Sequence, residues 1–187
     1  MAYNRFNVVV VERIVVQISV SELFKEPIGS TRQYEINKTL DISDGSYEVQ
    51  GDVRLLRTGR GILVKGILYT GVEVTCSRCL SLFSCPLTLS IEEEYLPTKD
   101  IVSGASLPLP EEPGYFTIDE HYILDLTEAI HQYIMLATPM KPLCGEGCAG
   151  LCPTCGHNLN QGPCGCLPQG LDPRWADLSG LTLTNDM

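Results

Sequence analysis

Between Pro142 and Pro168 the chain carries six cysteines set among glycines and prolines, with almost no apolar periodicity. A segment of that composition cannot fold by burying a core of its own, so a cross-link or a metal has to hold it. The chain of 187 residues has nine cysteines in all. An odd number cannot all pair as disulfides. No apolar run approaches the roughly 18–20 residues of a membrane helix, and Val8–Val11 is broken at once by Glu12 and Arg13. We therefore expect a cytoplasmic protein, where thiols are kept reduced and disulfides are rare. Metal ligation is the reading that remains for the cysteines.

The ligand candidates are Cys76-x2-Cys79, Cys144-x3-Cys148, Cys152-x2-Cys155 and Cys164-x-Cys166. Zinc takes four ligands at tetrahedral corners, and each C-x2-C knuckle offers two of them from one tight turn. Eight residues separate Cys155 from Cys164, so a local site from Cys152, Cys155, Cys164 and Cys166 closes at little entropic cost. A second, long-range site from Cys76, Cys79, Cys144 and Cys148 completes the favoured assignment of two zinc ions. The rival arrangement has the knuckles Cys76/Cys79 and Cys152/Cys155 sharing one metal. Cys85 is left over and reads as a buried small apolar residue. His157 is an alternative ligand in place of Cys164 or Cys166. Two complete sets leave no open coordination position, and neither His-Glu-x-x-His nor a deaminase pattern occurs, so we assign no catalytic residue. The spacings do not match ferredoxin clusters. A thiol redox enzyme lacks its βαβ context.

The rest of the chain predicts an α+β, mainly β fold: an antiparallel sheet or small barrel with one packed helix, followed by the cysteine-rich zinc-stapled tail. Val8–Val20 is dense in β-branched residues. Tyr47, Val49, Gly51, Val53 and Leu55 alternate onto one face of a strand, and Thr58-Gly59-Arg60-Gly61 turns it into a second, Ile62–Tyr69. Gly71 marks a turn or bulge, and Leu87–Tyr95 leaves the first Cys pair as a further strand. Prolines and glycines over 97–118 predict a loop. A helix is expected over 125–138, with Asp125 as N-cap, Glu128 three residues on, and Leu126, Ala129, Ile130, Tyr133, Ile134 and Ala137 on its apolar face. A short helix is expected after Asp172-Pro173. The domain reading is a β-rich domain over 1–141 and a zinc-binding tail over 142–187.

Net charge is −10, and it is unevenly spread. Residues 1–75 carry nine basic and nine acidic side chains, 76–143 three and ten, 144–187 one and four. Zinc held by four thiolates adds about −2 per site. So acidic a body is repelled by phosphate backbones, which favours a basic protein partner and speaks against non-specific nucleic-acid binding. Two contact regions stand out. Glu92, Glu93 and Glu94 form an acidic run suited to a basic partner, or simply a solvated strand edge. Arg54, Arg57 and Arg60, with Lys65, fall in one hairpin and form the basic feature that RNA would touch.

Taken together, these motifs resemble a known family. Cys76-Ser-Arg-Cys79-Leu80, the acidic strand Ile91-Glu-Glu-Glu-Tyr95, Leu124-Asp-Leu126, and the string from Pro142 through Cys152-Pro-Thr-Cys155-Gly-His to Asn160 are similar to the YceD family of large-ribosomal-RNA-subunit accumulation proteins. Cys164-x-Cys166 and Asp172-Pro-Arg174 complete the pattern, which runs from residue 50 to residue 181. The resemblance implies a ribosome-biogenesis factor that promotes accumulation or processing of large-subunit ribosomal RNA. Its expected partner is a ribosomal precursor or a basic ribosomal protein, with direct RNA contact as the alternative. No membrane and no small-molecule substrate is expected.

Overall fold

The computed structural model describes residues 15–42, 45–108 and 114–167. The expected strand over Val8–Val20 therefore lies in large part outside the described residues, and the helix after Asp172-Pro173 wholly so. The chain divides into two compact units. One takes the chain up to Val74 and then Phe83–Pro142; the other takes Thr75–Leu82 and the chain from Leu143 on. The first Cys pair thus groups with the tail and not with the sheet that flanks it in sequence.

The first unit is a seven-stranded sheet with two helices. In chain order its elements are β1 (Gln17–Ser19), α1 (Ser21–Lys25), β2 (Thr31–Ile42), β3 (Gly45–Arg57), β4 (Ile62–Thr75), β5 (Leu82–Pro97), β6 (Phe116–Ile118), β7 (Ile123–Asp125) and α2 (Thr127–Ala137). The strand order is β1-β7-β6-β5-β4-β3-β2. The alternation expected in β3 holds: Val49, Val53 and Leu55 are fully buried, and the hairpin closes with Arg57 opposite Ile62. The sheet is mixed rather than antiparallel, because β6 pairs β5 in parallel, with Tyr95 opposite Phe116. A hairpin forces antiparallel pairing, whereas the long connection from residue 98 to 115 lets the chain return in the same direction. Within that connection Lys99 bridges Ser106, and Leu107 N–H donates to the Thr98 carbonyl at 3.0 Å. Gly71 makes no turn, since β4 runs through it with its alternation unbroken.

Two glycines shape the sheet. A side chain at Gly51 would lie 2.2 Å from the Ile67 carbonyl, and one at Gly66 2.5 Å from that of Asp52. Both are on the core side of β3 and β4, where bare backbone lets adjacent strands close in and bend. The sheet curls far enough for Lys38 of the edge strand β2 to donate to the Val15 carbonyl beside the other edge, at 3.3 Å.

Helix α2 buries Ala129, Ile130 and Ile134 and half-buries Tyr133, while Ala137 is exposed. It starts two residues later than expected. Asp125 is the last residue of β7, and Leu126 takes the cap position. The Asp125 carboxylate still accepts the Thr127 N–H at 2.8 Å, and its other oxygen accepts from the Gln17 amide. Pairing with β1 holds this residue in the strand, so tertiary structure overrides the local capping preference.

Candidate metal centres and partner-contact residues

The two knuckles are built alike. Cys76 N–H donates to the Ser81 carbonyl at 2.9 Å, and Leu80 N–H returns to the Cys76 carbonyl at 3.0 Å. Cys152 N–H donates to the His157 carbonyl at 2.8 Å, and Gly156 N–H returns to the Cys152 carbonyl at 2.9 Å. In both, the residue after the second cysteine is left-handed, Gly156 at φ 73 and Leu80 at φ 58. Glycine takes that conformation freely, whereas a leucine there is strained. The turn aims both sulfurs of a knuckle to one side.

The sulfurs gather into two sets of four, Cys76/Cys79/Cys144/Cys148 and Cys152/Cys155/Cys164/Cys166, each with all its sulfurs within 4.8 Å of one another. Cys76 and Cys148 sulfurs are 3.8 Å apart, those of Cys79 and Cys144 3.6 Å. Tetrahedral zinc with bonds of about 2.3 Å sets its sulfurs about 3.8 Å apart, so the spacing fits. The knuckles do not share a site. His157 is exposed and engaged through its backbone, and Cys85 is half-buried in β5; neither belongs to a set.

The electrostatics fit a cation as well. Backbone N–H groups, that of Cys79 first, lower the Cys76 thiol to about 6, and those of Cys155 and Thr154 do the same for Cys152. Each set thus holds a ready thiolate. Crowding by neighbouring sulfurs, Cys79 above all, pushes Cys144 up to about 12, and Cys155 leads the same effect on Cys166. Four thiolates at this spacing repel one another unless a divalent ion sits among them.

Polar side chains that sequence reasoning did not single out brace the first set. Asn160 donates to the Cys148 sulfur at 3.4 Å and, through its carbonyl oxygen, accepts the Ala149 N–H at 2.8 Å. Arg78 donates to the Cys148 carbonyl at 3.1 Å, and Asn158 reaches Ser81 at 3.1 Å. Such outer contacts orient ligands. Two asparagines just beyond a knuckle were the available signal.

The two contact regions read from the sequence do not stand as separate patches. Arg54 faces outward on β3, directly opposite Lys65. Arg57 has the opposite strand parity, and its guanidinium lies 5.9 Å over the Phe24 ring. Arg60 pairs with Glu94 at 2.6 Å, and Lys65 with Glu92 at 2.6 Å. Glu93 points the other way and accepts from the Tyr133 hydroxyl at 3.0 Å. The acidic run belongs to β5 just before the three residues, Tyr95–Pro97, that pair with β6, and there the Glu92 N–H donates to the Tyr133 hydroxyl at 3.3 Å. Strand alternation, which sends neighbours to opposite faces, divides both triplets.

Comparison with known proteins places these features in a wider group. A family profile described as "Large ribosomal RNA subunit accumulation protein YceD" matches residues 64–182, a span that includes both knuckles and all eight clustered cysteines. An uncharacterized protein of Mycobacterium tuberculosis is 31% identical over 127 residues, covering 68% of this chain and 58% of that protein. A protein of Mycobacterium bovis is similar to the same extent. The Arabidopsis thaliana protein named "Large ribosomal RNA subunit accumulation protein YCED homolog 1, chloroplastic" is 26% identical over 163 residues, covering 75% of this chain and 50% of that protein. The chain thus spans between half and three-fifths of the length of these relatives. No solved structure matches it.

Proposed function

Since the chain belongs to the YceD family, we propose that it is a ribosome-biogenesis factor that promotes accumulation of large-subunit ribosomal RNA in the cytoplasm, with two structural zinc ions and no catalysis of its own. The observation that carries the second half is the completeness of the two sulfur sets. A catalytic zinc keeps one position for water or substrate, whereas four thiols per ion fill the tetrahedron. Cys76, Cys79, Cys144 and Cys148 would hold one ion, and Cys152, Cys155, Cys164 and Cys166 the other. The metal's part is to fix the fold of the tail and its two turns. Thiol redox catalysis gains no support, because each C-x2-C pair lies in a turn and neither opens a helix.

The factor acts by binding, and its partner is a ribosomal precursor. For contact through a basic ribosomal protein, the acidic run offers less than its sequence suggests, because Glu93 turns away to Tyr133 and the half-buried Glu94 is held by Thr58 and Arg60, which leaves Glu92 in an exposed pair with Lys65. Direct contact with RNA is favoured by one specific observation: Arg57 has a ring beneath it and no carboxylate partner in an ion pair among the described residues.

The test is depletion of the protein in its own cells, with the ratio of large- to small-subunit ribosomal RNA as readout. The ratio should fall, and the wild-type chain should restore it. A C152S/C155S double variant should not. An unchanged ratio on depletion overturns the proposal.

A further inference from the structure

A groove of about 630 Å³ opens in the sheet unit. It lies between the β3–β4 turn, the end of β5 and the loop that follows it. Its walls are mainly apolar, with Phe24, Ile28, Ile101 and Leu107 prominent. Into this lining come Arg57, Arg60 and Lys99, three of the ten cationic side chains among the described residues. On a chain of net charge −10 that is a marked local reversal.

Asp100 is the one carboxylate among the described lining residues, which leaves that lining with two net positive charges. Its Oδ1 accepts from Val102 N–H at 3.1 Å and from the Ser103 N–H and hydroxyl at 2.8 Å each, contacts that hold the carboxyl below the usual carboxylate range and tie it to its own turn. Arg60 stays with the half-buried Glu94, whereas Lys99 is held by an exposed ion pair to Glu120. Pairs of that kind contribute little and exchange readily for a stronger anion. Arg57 is fixed differently. Its backbone N–H donates to Ser30 and its carbonyl accepts from Gly29, both at 2.9 Å, while Phe24 supports the guanidinium from one side. Phe24 in turn packs edge-on against Tyr122. The backbone at Arg57 is thus pinned, and its planar cation lies beside a ring. A guanidinium plane can stack against a base or clasp a phosphate with two parallel N–H bonds.

We propose that this groove binds an unpaired stretch of RNA, with a phosphate at Arg57 and Lys99 and a base against the apolar wall. The proposal rests on the ribosomal-RNA reading above and adds to it the site of contact. A volume of this size suits one or two nucleotides rather than a helix. The acidic surroundings act in the same direction, since they repel the dense charge of a duplex while the groove neutralises a single strand locally.

The experiment titrates the full-length, zinc-loaded protein against a fluorescein-labelled ten-nucleotide oligouridine. Anisotropy is read from low to moderate salt, with uridine monophosphate and a ten-base-pair RNA duplex as competitors. Saturable binding is expected, with an affinity that falls as salt rises. R57E should weaken it by about tenfold or more, and K99Q should weaken it less and flatten the salt slope by about 0.7. R54E, a charge reversal on the outer face, should leave binding unchanged. Because Arg57 packs on Phe24, R57K serves as the second variant. It keeps the charge and loses the plane, and should bind more weakly at unchanged melting temperature. No saturable binding overturns the proposal, as does equal loss in R54E and R57E. Competition by the duplex or the mononucleotide as strong as that by unlabelled oligouridine also overturns it. The two readings fail separately. A fall in large-subunit RNA on depletion without oligouridine binding sinks the groove alone, and binding without any effect of depletion sinks the biogenesis role alone.

Discussion

In the sheet unit the buried apolar side chains are leucines, isoleucines, valines and aromatics, with Leu40, Leu55, Ile62, Leu68 and Leu126 wholly inaccessible. In the cysteine unit the buried apolar side chains among the described residues are Cys76, Cys79, Cys148 and Cys152. The first unit draws its stability from area removed from water. Among its described residues the second buries little besides those sulfurs, and on the zinc reading proposed above its order depends on what they hold. One chain therefore folds by two principles, and conditions that weaken one need not touch the other.

The largest effect should come from removing metal. Structural zinc contributes about 10–16 kcal/mol in small peptides, far more than this unit can recover by burial. Chelation, or Cys152→Ser, should release amide protection at Cys152, Leu80 and Gly156 in hydrogen exchange and leave β3–β5 protected. Elemental analysis of the reduced protein should give two zinc ions. The pH dependence has a defined sign. Cys76 and Cys152 are depressed to about 6, so their thiolates contribute above the ordinary thiol range and are lost as pH falls through about 6. Metal should stay bound at pH 7 and leave only on acidification below the range in which the free thiolates protonate, since the ion competes with protons for them. Loss of protection in the sheet together with the tail would show that the two units do not fold independently.

The reciprocal change is next in size. Leu55→Ala should cost the sheet unit about 2–5 kcal/mol, seen as a lower melting temperature, because it opens a cavity at a position with no solvent access. Zinc stoichiometry should remain two. A variant that also loses zinc would blur the distinction from the other side.

The smallest effect sharpens a difference inside the cysteine unit. Gly156→Ala puts a side chain on a left-handed backbone and should cost about 1 kcal/mol, weakening zinc retention against a competing chelator by about fivefold. Leu80→Gly relieves the same conformation in the other knuckle and should retain zinc at least as well as the parent. Equal losses in both variants would mean that the Leu80 side chain itself supports its turn.

The cysteine unit was the more legible in sequence, because ligand spacing is local chemistry: a C-x2-C turn looks the same wherever it occurs. The core faces of β3 and β4 were legible for a similar reason, since a period of two is written directly into Val49, Val53, Val64 and Leu68. What escaped was fixed by distant partners. Phe116–Ile118 and Ile123–Asp125 are three-residue strands that exist because β5 and β1 lie alongside them, and no three-residue pattern announces that. Asp125 looked like a helix cap for the same reason. The arginine and glutamate triplets are divided by strand alternation, which sends Arg54 to the face opposite Arg57 and Glu93 to the face opposite Glu92 and Glu94.

The position of β2 at the margin of the sheet has a consequence for how the protein behaves in a crowded solution. Twelve residues of edge backbone would invite a second chain to add a strand and begin an aggregate. Yet β2 places a charge at every third position from Arg32 through Glu35 and Lys38 to Asp41. Since side chains alternate, these charges fall on both faces. Lys38 stands directly opposite the fully buried Val49, on the side an incoming strand would need to find apolar. An added strand would have to bury that ammonium or break its bond to Val15. The spacing of four charges thus opposes the addition of a strand along an edge that is twelve residues long among the described residues.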